Sequence, residues 1–214
     1  MSHAYRALLA CTVVALSALW AVSGARGAAK GFDDSIFGTP WTVVGKRTQL
    51  EGLDISVKDH DGRDRELAKL NEKPILMTFF YTRCENASKC STTIVALAML
   101  QRELIRAGMQ DKVRILAVTY EPHFDTPERL TRFVKDRGMV LSENALAIQL
   151  DATRQRRLLG ELAVPVNFNA GWVNTHAVDS NLIDSKGRLV RKYSTLLWDT
   201  DQMVADLKRL LAER

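Results

Sequence analysis

Two short runs of almost unbroken apolar residues constrain this chain more than any other feature: PILMTFFY at Pro74–Tyr81 and VRILAVT at Val113–Thr119. A strand that is apolar at successive positions offers water no polar face, so it has to be covered on both sides. Each run is followed by a helical pattern. After the first, Ile94, Leu97, Ala98, Gln101, Leu104 and Ile105 recur at helical spacing until Gly108. After the second, Asp125-Thr126-Pro127-Glu128 supplies a helix start, with Asp or Thr as cap and Pro in the first turn.

The remaining segments extend this alternation. Leu53–Val57 alternates like a half-buried strand and leads to a turn at His60-Asp61-Gly62. Ala145–Leu150 is a further apolar segment, followed by a basic helix ending near Gly160. Ala177–Ile183 and Arg188–Tyr193 form a hairpin across Asp184–Gly187, and a helix closes the chain at Thr200–Ala212. Strands alternating with helices predict an α/β fold with a mixed central sheet flanked by helices. The element order is that of a thioredoxin-like fold.

At 214 residues, this leaves room for one such domain and its appendages. Arg6, the uncharged and mainly apolar stretch Ala7–Val22, and the small residues Ser23–Ala29 have the layout of a secretory signal peptide. The stretch is shorter than the roughly 18 residues a membrane span usually needs. Residues 1–29 are therefore expected to be a cleaved signal, with an uncleaved anchor as the alternative and membrane contact only in that case. Residues 30–49 are read as an extended arm, and 50–214 as the thioredoxin-like domain. An exported protein of this kind would occupy the periplasm or an equivalent compartment. The 30 Lys and Arg exceed the 25 Asp and Glu by five. No run of them is dense enough for a nucleic-acid stripe, and Arg154, Arg156 and Arg157 read as a solvated helix face.

Export changes the meaning of the cysteines. Cys11 falls within the signal, leaving Cys84 and Cys90. A plain structural disulfide is one reading, but a loop this short yields little stabilisation. Both thiols lie between the end of a buried strand and a helix N-terminus, where unpaired N–H groups favour thiolate. Glu85 opposes that preference, and Arg83 and Lys89 support it. Five residues separate the thiols, in contrast to the C-x-x-C of thioredoxin-type oxidoreductases, which leaves space for a third ligand. His176, just before a core strand, is the candidate. Two thiolates and an imidazole form a soft donor set suited to copper as Cu(I) and Cu(II), whereas structural zinc usually takes a fourth protein ligand.

The segment Tyr81-Thr82-Arg83-Cys84 with its second cysteine resembles the Sco/SenC family of copper-delivery proteins. Further similarity lies in Leu53 to Gly62, Val118-Thr119 to Asp125-Thr126-Pro127, and His176 followed by Leu182 to Gly187. The resemblance spans about residues 50–212. It implies copper held by Cys84, Cys90 and His176 and delivered to a copper enzyme such as a cytochrome c oxidase subunit. It equally allows thiol reduction that prepares such a centre. Where the commoner motif is C-x-x-x-C with flanking prolines, this chain has C-x5-C with no proline after either thiol. Thr175 stands where the family often has an acidic residue.

The alternative function is a thiol-disulfide oxidoreductase with a thiol-disulfide partner, Cys84 acting as nucleophile and Cys90 as resolving thiol. A peroxidase of the same fold would need a Pro-x-x-x-Thr-x-x-Cys motif before Cys84, and an interaction module would use its disulfide only structurally. Met77, Met99, Met109, Met139 and Met203 read as core residues. His60 and His123 read as surface histidines; Asp125 reads as a helix cap, with support of the metal loop as the alternative the resemblance implies; Trp172 and Trp198 read as buried, with an exposed docking surface as the alternative. The export reading has a direct check: intact-mass measurement of the mature protein should show loss of a segment ending between Ser23 and Ala29.

Overall fold

The computed structural model of the chain describes residues 38–86, 88–194 and 199–213. After a turn of 3-10 helix at Val44–Lys46 come β1 (Thr48–Gln49), a second such turn (Glu51–Leu53), β2 (Ser56–Asp59), β3 (Asp64–Glu66) and the single-turn α1 (Leu67–Leu70). There follow β4 (Ile75–Phe80), α2 (Cys90–Arg106), β5 (Arg114–Thr119), α3 (Pro127–Lys135), β6 (Ala145–Gln149) and α4 (Ala152–Glu161). The last elements are β7 (Val166–Asn169), β8 (Trp172–His176), β9 (Ser180–Ile183), β10 (Arg188–Tyr193) and α5 (Thr200–Ala212).

Eight strands form one mixed sheet in the order β1-β10-β9-β4-β5-β6-β2-β3, while β7 and β8 pair only with each other. The two apolar runs, β4 and β5, are parallel neighbours at its centre, and every residue in both is buried. Their side chains still divide by the strand period of two. Leu76 and Phe80 join Ile94, Leu97, Leu130 and Leu207 on the face covered by α2, α3 and α5. Ile75, Met77 and Phe79 join Leu67, Leu70, Leu158 and Leu162 on the face covered by α1 and α4. The result is the expected α/β fold with helices on both faces of a mixed sheet.

Several local expectations change. The strand predicted at Leu53–Val57 starts only at Ser56, because Gly52 N–H donates to Glu161 Oε2 (2.7 Å) and draws the preceding residues toward α4 as a 3-10 turn. Thr126 rather than Asp125 caps α3, accepting from Arg129 N (3.3 Å). His60 is no free surface histidine: its side chain is 9 % exposed and its Nδ1 is buried. His123 is exposed, as expected. Trp172 and Met99, expected inside, are 42 % and 48 % exposed. Within the segment read as an arm, Thr39 and Thr42 hydrogen-bond to Lys192 and Val190 of β10. The signal at 1–29 and Trp198 lie outside the described residues. Among the described residues, no helix is long and apolar enough to cross a membrane.

One buried polar knot joins α5 to the sheet. Asp206 accepts from Arg191 Nη1 (3.0 Å), Tyr193 Oη (2.6 Å) and Gln202 Nε2 (3.0 Å). Removing one member of a buried ion pair takes away charge compensation that burial makes necessary. Asp206→Ala should therefore lower unfolding free energy by about 3–5 kcal/mol in urea titration.

Candidate metal centre

β4 is covered on both faces, so the chain leaves it at the carboxyl edge of the sheet, where clefts form in open α/β folds. The loop from Tyr81 to Lys89 turns there before α2 begins at Cys90. Asn86 shapes that loop. Its carbonyl accepts from Lys89 N (2.9 Å) and from Cys84 Sγ (3.4 Å), while its side chain accepts from Ser88 N (3.1 Å). Cys90, as the first residue of α2, points into the core and is 1 % exposed; Cys84 is half-buried and reaches the surface. Both are free thiols.

His176 arrives from the other side, at the end of β8. Its Nδ1 lies 2.7 Å from the Ala177 carbonyl, which can only accept, so Nδ1 carries the proton. That leaves Nε2 with its lone pair, 3.7 Å from Cys84 Sγ and 3.7 Å from Cys90 Sγ. The three donor atoms lie within 4.8 Å of one another, a grouping that could hold a metal ion. Tyr81 meets the imidazole edge-on at 5.4 Å and Tyr120 lies tilted at 5.3 Å, fixing the ring plane. The three residues singled out from sequence thus converge at one point.

Electrostatics at the site follow burial. Burial pushes the Cys90 thiol well above its ordinary pKa, with the Cys84 sulfur adding to the rise and a Tyr81 backbone bond opposing it. The helix N-terminus was expected to favour thiolate, but at Cys90 desolvation outweighs it. Burial also lowers the His176 imidazole, keeping it neutral, with the Ala177 bond opposing. Tyr81 is raised by burial first and by its contact with Cys84 second, so its hydroxyl stays protonated.

A polar layer behind the thiols was not anticipated as a unit. Asp125 is fully buried and accepts from the Thr82 amide (3.2 Å) and from the hydroxyls of Thr82 and Thr119. It thereby ties the start of the cysteine loop to the end of β5. Glu121, 1 % exposed, pairs with Arg83. The signal in the sequence was two carboxylates just after a buried strand, where charge needs partners. An apolar groove of about 510 Å3 beside Leu104, Ile105 and Val140 lies at the opposite end of α2 and shares no residue with the thiol site.

The profile of the SCO1/SenC family matches residues 45–212. The chain belongs to the SCO1/SenC family. Structures similar to it include a SCO1/SenC family lipoprotein from Bacillus anthracis, at TM-score 0.68 and 20 % identity over 79 % of this chain and 99 % of that one. A second is BsSco, described as a member of the Sco family of cytochrome c oxidase assembly proteins with a disulfide switch. It aligns at TM-score 0.63 and 21 % identity over 76 % of this chain and 92 % of that one. Bradyrhizobium japonicum ScoI, solved with copper bound, aligns at TM-score 0.59 and 20 % identity over 81 % and 99 %. No curated protein matches the chain. As a SCO1/SenC member it has a mixed sheet of the same fold, with the cysteine pair spaced C-x5-C.

The two thiols should react unequally. In the metal-free protein at neutral pH, iodoacetamide should label Cys84 at least about tenfold faster than Cys90, which is enclosed and held protonated. Peptide mass spectrometry over a time course reads the ratio, and labelling of Cys90 should accelerate only well above the ordinary thiol range.

Proposed function

We propose that this SCO1/SenC protein is an exported copper carrier that binds one copper ion through Cys84, Cys90 and His176 and passes it to a copper enzyme. The observation that carries this reading is the convergence of two sulfurs and an imidazole nitrogen within 4.8 Å. That donor set is soft and three-coordinate, which suits Cu(I) and tolerates Cu(II). The copper in the ScoI structure supports the choice of metal. The family role named for BsSco supports a cytochrome oxidase subunit as client. Export rests on the signal-like residues 1–29.

Copper is cargo here, and the protein's part is to hold it reversibly. A cation entering the site displaces the proton that burial keeps on Cys90, so uptake should release protons and strengthen as pH rises. Because Cys84 reaches the surface, ligand exchange with a client can begin from that sulfur.

Purified protein should bind one copper ion per chain. Cys84→Ser or Cys90→Ser should abolish tight Cu(I) binding, since a hydroxyl is a poor soft ligand. His176→Ala should weaken Cu(II) more than Cu(I), because two thiolates suffice for Cu(I). Full copper affinity in the double cysteine variant would place the site elsewhere.

A second reading, thiol-disulfide exchange, is favoured by the closeness of the two free thiols. It is separated by complementation of a deletion strain. His176→Ala should fail to restore copper-enzyme activity if the protein carries copper, and should restore it fully if only the thiols matter.

A further inference from the structure

The histidine donor is carried on a strand that pairs with no strand of the main sheet. β7 and β8 form their own two-stranded sheet. Val166, Phe168 and Val173 pack it onto one core face, and polar contacts from the cysteine loop add to that packing in setting the distance between His176 and the thiols. The residue immediately before each cysteine reaches across to this hairpin. Lys89 Nζ donates to the His176 carbonyl (3.0 Å). Arg83 makes the more extensive contact. Its guanidinium lies over the Trp172 ring, 3.6 Å from the centroid, and forks onto Glu121 through Nε (2.5 Å) and Nη2 (3.2 Å). Glu121 also accepts the Val173 amide at 2.8 Å, binding the same strand directly. Phe124 meets the Trp172 ring edge-on, 6.2 Å away.

We propose that Arg83 is a positioning residue: by gripping Trp172 and Glu121 it holds the β7–β8 hairpin so that His176 stays within reach of Cys84 and Cys90. This deepens the copper reading above and rests on it for its metal readout. Exposed ion pairs contribute little, but this one is anchored on a buried carboxylate, 1 % exposed. A planar fork stacked on an aromatic face also loses less freedom than a lysine would, so the grip is directional. β8 transmits it: Trp172 and His176 are its first and last residues, about 13 Å apart at the usual rise of a strand. Movement at the Trp172 end therefore displaces the imidazole, while Cys90 stays on α2 and Cys84 on the loop that Thr82 ties to Asp125.

Arg83→Ala and Trp172→Ala test this; the second leaves the Glu121 ion pair in place and removes only a half-exposed ring. In the metal-free proteins, amide exchange in β8 should quicken about tenfold while β4 and β5 keep their protection. In the copper titration, Cu(II) should bind about tenfold more weakly and its sulfur and imidazole charge-transfer bands should shift, with Cu(I) affinity held within about twofold. Trp172→Phe, which keeps an aromatic face, should restore both readouts. Unchanged exchange in β8 in both alanine variants would overturn the proposal, as would equal loss of Cu(I) and Cu(II) accompanied by a general fall in stability. Should the wild-type protein take up no copper, the carrier reading fails, and the exchange data alone decide whether Arg83 positions the hairpin.

Discussion

The double-sided burial of β4 governs the rest of the molecule. Six consecutive buried residues leave the strand no choice but the centre of the sheet, with β5 parallel on one side and β9 antiparallel on the other. A central strand can end only at the sheet's edge, so the chain that follows Phe80 emerges at the carboxyl side of β4 and β5 together. The cysteine loop grows from the end of β4, and Glu121 and Asp125 from the end of β5. The meeting of thiols and carboxylates is thus a consequence of packing before it is a matter of chemistry.

Legibility from sequence followed the same division. β4, β5, α2 and α5 were readable because their apolar spacing is imposed by burial, and the thiol pair was readable because its position between strand and helix is local. The hairpin β7–β8 was not, since most of its residues are at best partly buried and its strands pair only with each other. Trp172 was misjudged for a related reason. A tryptophan is ordinarily worth burying, yet here its ring serves as a platform for Arg83 and stays half in water. His60 erred in the other direction, because a turn-like sequence gave no hint that the chain would fold over it.

Burial also determines what kind of sulfur Cys90 is. A thiol at a helix N-terminus usually inclines toward the anion, but the core around Cys90 withholds the solvation an anion needs. Such a sulfur is a poor freely reacting nucleophile. It gives up its proton readily only when another positive charge takes the proton's place, which is a property of a ligand. The neutral imidazole opposite, with its proton committed to a backbone carbonyl, is consistent with the same role.

The separateness of the hairpin has a consequence for how such a site can evolve. The eight-stranded sheet has its own two apolar faces, whereas His176 sits on a ribbon that pairs with none of its strands and packs against one face through Val166, Phe168 and Val173. Substitutions in that ribbon can move or remove the imidazole while the scaffold and both sulfurs persist. On the carrier reading, one scaffold could shift between holding a metal and exchanging thiols through the hairpin as well as through the spacing of its cysteines.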